Sequence, residues 1–310
     1  MPESPLLRLS EVSRVLAGRV VVAGLNLSVE HGSVLGLLGV NGAGKSTTLR
    51  MIAGVLCPSA GQVLIGGKDL GEYPETARTK LGYLPERAPL YAELRVDEYL
   101  AFCARLHGLS GAASAKAAST MIERCALGDV RRRLLGNLSK GYQQRVGIAQ
   151  AIVHDPALIV LDEPASGLDP LQAAGIRALI AELRSSGHAV ILSTHLLPDV
   201  QACCDRVAIL HGGRLRHDGP THALTGTGTL RVRVQTALDA EAWAALKSVR
   251  RADRADAFWR VELAAGAGPA QLAQEIIGRG WALLELRSEE PSLEQTFLRI
   301  ASTDDAREAA

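Results

Sequence analysis

The sequence predicts an α/β fold in two units, and three observations carry that reading. The apolar run Val34–Leu38 leads into a glycine-rich stretch, Gly39–Thr47, and then into a helical pattern from Thr48 to Ala53. Two further apolar runs, Ala157–Asp162 and Ala189–Thr194, deliver Asp162, Glu163 and His195 to strand ends. Beyond about residue 229 the chain turns to period-two alternation, in Leu230–Gln235 and Phe258–Leu263, between helical stretches. A length of 310 residues is ample for two units with separate cores.

The glycine-rich stretch, Gly39-Val-Asn-Gly-Ala-Gly-Lys-Ser-Thr47, comes first in the chain. Strand, glycine-rich loop and helix in that order is the context of a phosphate-binding loop. Successive backbone N–H groups must wrap a triphosphate, and side chains there would block the approach. The helix N-terminus adds its positive end. Gly39, Asn41, Gly42, Ala43, Gly44, Lys45, Ser46 and Thr47 are therefore the expected nucleotide contacts. Lys45 can reach the β- and γ-phosphates as a point charge, and Ser46 can ligate Mg²⁺.

Val96–His107 and Ser114–Ala126 carry helical patterns without strand character. With the helix that follows Ser139 they make a helical insertion over about 87–155. Asn137-Leu-Ser139-Lys-Gly141-Tyr opens that helix, and a Ser and a Gly at a helix start form a second anion site. The α/β pattern resumes at Pro156. Ala157–Asp162 reads as a buried strand whose carboxyl end carries Asp162 and Glu163, where open α/β sheets bind ligands. Asp162 would face Mg²⁺ and Glu163 could act as general base toward water; the alternative is an ordinary strand end with solvated acids. Ala189–Thr194 is a further buried strand, with His195 on the same sheet edge.

Taken together, these motifs resemble those of the nucleotide-binding subunit of an ATP-binding cassette (ABC) transporter. They are Gly39–Thr47 (Walker A), Leu138–Tyr142 (signature), Leu158–Glu163 (Walker B), Ser166-Gly-Leu-Asp169 (D-loop) and His195 (switch histidine). The resemblance covers roughly residues 5–225. It implies a P-loop NTPase fold of ABC type, ATP and Mg²⁺ as cofactors, and catalytic roles for Glu163, His195 and Glu86. The implied metal ligands are Ser46, Asp162 and Glu86. It also implies a head-to-tail pair of cassettes, homodimer or heterodimer, in which Ser139 and Gly141 of one chain face the nucleotide of the other. The membrane partner is a permease met through about Glu86–Arg95.

Three positions depart from the family pattern. Leu16 falls where an aromatic residue usually stacks on the base, so base selectivity should be loose. Gly82-Tyr-Leu-Pro-Glu86 offers Glu where the Q-loop has Gln, keeping an oxygen for the cation and losing an amide donor. The signature reads Leu-Ser-Lys-Gly-Tyr, which puts Lys140 near the expected γ-phosphate. Glu86 with Lys-Gly-Tyr resembles a subgroup of single-cassette exporter ATPases, including gliding-motility, copper-processing and drug-efflux types.

A net charge of +1 argues for no nucleic-acid partner. Arg131–Arg133 reads as a solvated turn. Five cysteines without C-x-x-C spacing read as reduced, cytosolic thiols, and adjacent Cys203 and Cys204 read as a buried pair rather than a metal site. Neither a signal peptide nor an apolar run of about 20 residues is present, so the expected place is the cytoplasmic face of the cell membrane, held through the permease. Asp218-Gly-Pro220 and Thr225–Thr229 suggest a linker. A small accessory α/β domain then spans 226–303, with strands near 230–235, 258–263 and 281–286, helices near 239–249, 269–278 and 291–301, and a tail at 304–310. Pro291–Phe297 resembles the end of the accessory domain of single-cassette exporters. Two other functions compete. A soluble cassette acting on nucleic acid or ribosomes usually carries two cassettes in one chain, long coiled coils or zinc modules, whereas this sequence shows one Walker A, no heptads and no Cys clusters. A non-hydrolysing regulatory cassette is permitted by Leu16 and the unusual signature but opposed by Lys45, Asp162, Glu163 and His195.

Overall fold

The computed structural model describes residues 4–75, 79–221, 229–236, 238–264 and 266–288. The chain divides into two compact units, Met1–Thr221 and His222–Ala310.

In the first unit, strand β3 (Val34–Leu38) is buried at all five positions. An uninterrupted apolar run suits a strand covered on both faces, and β3 lies inside a six-stranded sheet. That sheet has the order β10-β9-β3-β8-β7-β6, where β6 is Leu81–Leu84, β7 Leu158–Asp162, β8 Ala189–Thr194, β9 Arg206–His211 and β10 Arg214–Pro220. β3, β6, β7, β8 and β9 run parallel, and β10 closes the edge antiparallel to β9. The loops carrying Gly39, Glu86, Glu163 and His195 therefore leave from one edge of one sheet.

A second, antiparallel sheet of order β2-β1-β4-β5 joins β1 (Leu7–Leu16), β2 (Arg19–Val29), β4 (Ala60–Ile65) and β5 (Lys68–Asp69). Helix α1 (Lys45–Ile52) buries Leu49, Met51 and Ile52 in a core shared by both sheets, with Leu9, Leu25 and Val63 from one and Leu35, Val160 and Ile191 from the other. The phosphate loop thus ends on a helix held by apolar contact on two sides.

The expected insertion contains α2 (Val96–Leu106), α3 (Gly111–Arg124), two short 3₁₀ turns and α4 (Lys140–Ile152). At the start of α2, Arg95 N donates to Glu98 Oε2 at 3.0 Å, and Arg95 Nη2 pairs with Glu98 Oε1 at 2.9 Å. α4 reaches back to the sheet: Gln150 Nε2 donates to Tyr83 O at 3.0 Å, and His154 Nε2 lies 3.1 Å from Leu81 O. After β7, α5 (Pro170–Ser185) begins with Asp169 accepting from Gln172 N at 2.9 Å and Pro170 in the first turn. α6 (Leu197–Cys203) follows β8.

Two sequence expectations need correction. Asp218-Gly-Pro220 is not linker but the end of β10, paired with β9. An edge strand tolerates Gly and Pro, and Arg206 Nη2 donates to both Asp218 carboxylate oxygens, at 2.7 and 2.8 Å. The second correction falls in the smaller unit. The helix expected at 239–249 shrinks to α7 (Ala240–Ala244), and Val249–Ala255 forms an unforeseen strand, β12. Its partly buried Val249, Ala252 and Ala255 recur every third residue among charges, so period-two alternation was absent. What makes it a strand is pairing with β13 (Phe258–Leu263) across Asp256-Ala257, with Asp256 at φ 50.

With β11 (Thr229–Val234), α8 (Pro269–Gly278) and β14 (Leu283–Ser288), the smaller unit follows a βαββαβ order in an antiparallel sheet β12-β13-β11-β14. This is the split-βαβ arrangement. Its own core centres on fully buried Trp243, with Trp259 and Trp281 ring centroids 5.7 and 5.8 Å away. The third expected strand begins at Leu283 rather than Trp281. The expected helix at 291–301, Pro291–Phe297, residues 225–228 and the tail lie outside the described residues.

Candidate functional site

A cavity of about 420 Å³ lies at the carboxyl edge of the six-stranded sheet. Asn41, Gly42, Ala43, Gly44, Lys45, Ser46 and Thr47 line it, together with Glu86, Glu163, Ser166 and His195. Four loops or strand ends that are far apart in sequence thus converge where the parallel strands stop. Gly44 has φ 101, and a side chain there would come within 2.9 Å of Val21 O. Only glycine allows both that turn and that approach. The hairpin after β9 pins the loop from behind: Gly213 N donates to Ala43 O at 3.2 Å, and Ala23 N donates to Gly213 O at 2.9 Å.

Lys45 is 6% exposed, and its Nζ donates to Gly39 O at 2.7 Å and to Val40 O at 3.3 Å. Glu163 Oε1 lies 3.8 Å away. Burial pulls the Lys45 pKa below its ordinary value, and the carboxylates of Glu163, Asp162 and Glu86 oppose that pull. Gly39 meets the site through its carbonyl rather than by lining the cavity.

Asp162 is 1% exposed and accepts two hydroxyl bonds on Oδ1, from Ser46 Oγ at 3.1 Å and Ser193 Oγ at 2.6 Å. Ser193 Oγ in turn accepts from Glu163 N at 2.9 Å. Ser193 therefore joins both acids, a role the sequence reading did not give it. A lone hydroxyl near the end of an apolar strand was the available signal. Glu163 sits at φ 50, and its Oε2 is 2.8 Å from His195 Nδ1. The general-base candidate is thus held by a histidine on one side and faces the Lys45 ammonium on the other.

Ser46, Asp162 and Glu86 bring a hydroxyl and two carboxylates to this edge, a hard-oxygen set suited to Mg²⁺. Among the described residues no group of three or more His, Cys, Asp or Glu side chains is gathered for a metal.

Ser139 and Gly141 do not line this cavity. Ser139 caps α4 in extended conformation, exposed, with no side-chain bond to the helix. Leu16 is 38% exposed at the end of β1 and is also absent from the cavity wall, where Val21 and Val40 are the aliphatic members. Cys103, Cys125, Cys203 and Cys204 are buried free thiols, and Cys57 is exposed.

The ABC transporter family description matches residues 22–166. The chain is 34% identical over 209 residues to the uncharacterized ABC transporter ATP-binding protein YhaQ of Bacillus subtilis, covering 67% of this chain and 69% of that protein. It is 37% identical over 231 residues to the daunorubicin/doxorubicin resistance ATP-binding protein DrrA of Streptomyces peucetius, covering 74% and 70%. Among solved structures, an ATP-binding subunit of an ABC transporter superposes with a TM-score of 0.65 at 34% identity, over 71% of this chain and 91% of that one. The chain belongs to the ABC transporter family and is one of its ATP-binding subunits, an ATPase.

Proposed function

We propose that this chain hydrolyses MgATP to power an exporter through a separate membrane permease, from the cytoplasmic face of the membrane. The observation that carries the reading is the single cavity in which Lys45, Glu163 and His195 meet the phosphate loop. Lys45 exchanges its carbonyl partners for phosphate oxygens. Glu163, held by His195, accepts the proton of the attacking water. Ser46, Asp162 and Glu86 would hold Mg²⁺, which would neutralise charge on the phosphates. The N–H groups of residues 41–47 and the start of α1 stabilise the negative charge that develops on the transferred phosphoryl group.

Ser139 and Gly141 act on the nucleotide of a second cassette, homologous or identical, rather than on their own. Their place outside this chain's cavity supports that division. Activity then depends on assembly, with ATP favouring the closed pair. No helix among the described residues is long and apolar enough to cross a membrane, so the transport path is assigned to the permease. The export direction is supported by likeness to DrrA, whose name records drug resistance.

Glu163→Gln tests this reading. The variant should bind ATP normally, lose turnover by about 10²–10⁴-fold, and elute as an ATP-bound dimer from a sizing column. Hydrolysis at the wild-type rate would take the general-base role away from Glu163.

A further inference from the structure

The end of β8 holds Glu163 at two separate points. Ser193 lies opposite Asp162 in the parallel register of β7 and β8. Its Oγ accepts from Glu163 N at 2.9 Å, while His195 Nδ1 lies 2.8 Å from Glu163 Oε2. Thr194, between them, serves the turn that follows: its Oγ1 accepts from Leu196 N at 2.9 Å. Glu163 is thus gripped once by its backbone and once by its carboxylate.

The backbone grip is coupled to the other acid. A hydroxyl has one proton and two lone pairs. Ser193 directs its proton to Asp162 Oδ1 at 2.6 Å, which leaves a lone pair for the Glu163 N–H. The carboxylate polarises that hydroxyl and makes it a stronger acceptor. Glu163 has φ 50, a left-handed conformation that a residue with a side chain keeps only where its surroundings impose it. A bond to its N–H from Ser193, which is 0% exposed, is such an imposition. Asp162 also accepts from Ser46 Oγ at 3.1 Å, but Ser46 is an expected Mg²⁺ ligand as well. Ser193 does not line the cavity and has no second demand of that kind.

We propose that Ser193 is a positioning residue for hydrolysis: its hydroxyl fixes Asp162 and the Glu163 backbone as one unit, so that the general base keeps its place beside the phosphate loop. This rests on the ATPase reading above.

Hydrogen exchange, calorimetry and kinetics on the full chain test it. In the nucleotide-free protein, Ser193→Ala should speed amide exchange at Glu163 by roughly fivefold or more and leave Leu158–Leu161 of the same strand unchanged. ATP affinity in EDTA should stay within about twofold, because Ser193 bonds to Asp162 and Glu163 rather than to the phosphate loop. With MgATP, kcat should fall by roughly 10–100-fold, since small misplacements of reacting groups are costly. Ser193→Thr keeps the hydroxyl and should restore both exchange protection and kcat. Ser193→Cys keeps the volume but bonds weakly; it should behave like Ser193→Ala, and it replaces that variant if the alanine chain fails to fold. Unchanged exchange at Glu163 would overturn the grip. Faster exchange with unchanged kcat, a loss of ATP affinity in EDTA that matches the loss of kcat, or a threonine variant that recovers protection without kcat would overturn the positioning role. A wild-type chain that hydrolyses no ATP would overturn the ATPase reading and this role with it, whereas exchange, measured without nucleotide, judges the grip alone.

Discussion

Lys45 is a buried ammonium held by two backbone carbonyls of its own loop and flanked by Glu163. Such a cation is placed for an incoming polyanion, because the carbonyl bonds are neutral and a phosphate bond is charge-assisted. Lys45→Ala should weaken ATP binding by about tenfold or more, the loss of a charge-assisted contact of roughly 1.5–3 kcal/mol, as read by calorimetry. Unchanged affinity would mean that the loop does not hold a triphosphate. At the same scale, Leu16 does not line the cavity and offers no aromatic plane. Base stacking is worth roughly 1–3 kcal/mol in nucleic-acid sites, so its lack predicts similar affinities for GTP and ATP. A strong ATP preference in a competition titration would show that another group supplies the stack.

Between elements, the junction of α2, α4 and β6 is set by a pair of histidines. The His107 and His154 rings stack at 3.6 Å between centroids, with an interplanar angle of 3°. Burial pushes His154 down to about 4, with the neighbouring His107 adding to the shift. The folded value is below the unfolded one of about 6.5, so the unfolded chain takes up this proton first as pH falls. The contribution to stability is present above about pH 6.5 and is lost between about 6.5 and 4. Melting temperatures at pH 7.5 and 5.0 should differ more for the wild type than for His154→Phe, which keeps a ring in the stack. An equal drop in both would remove His154 as the cause. The same junction illustrates what pattern reading can reach. Val96–Leu106 was legible as a helix from its apolar spacing, whereas the His107–His154 contact joins residues 47 positions apart and has no local signature.

At the scale of the whole molecule, each unit has its own apolar cluster, one around α1 and the other around Trp243. Every nucleotide motif lies before Thr221. A chain ending after Thr221 should therefore fold, stay soluble and bind ATP with affinity within a few-fold of the full-length protein. Circular dichroism and calorimetry on the truncated chain check this, and a failure to fold would mean that the two units share one core. The proposed assembly places any cost of truncation in dimer stability or permease docking, which sizing columns and reconstituted transport would read separately from ATP binding.

The α/β class, the phosphate loop and the acidic strand end were set by sequence alone, because each rests on neighbouring residues: an apolar run, glycines at fixed spacing, a carboxylate where hydrophobicity stops. β12 was not, since a charged strand with apolar residues every third position acquires its conformation from its partner β13. Asp218-Gly-Pro220 likewise reads as a break in isolation and is a strand only because β9 and Arg206 lie beside it. The same distinction runs through the site. Lys45, Asp162, Glu163 and His195 were visible as separate motifs. That Ser193 links the two acids was decided only by tertiary structure, because hydrogen bonding depends on distances between strands that local sequence does not encode.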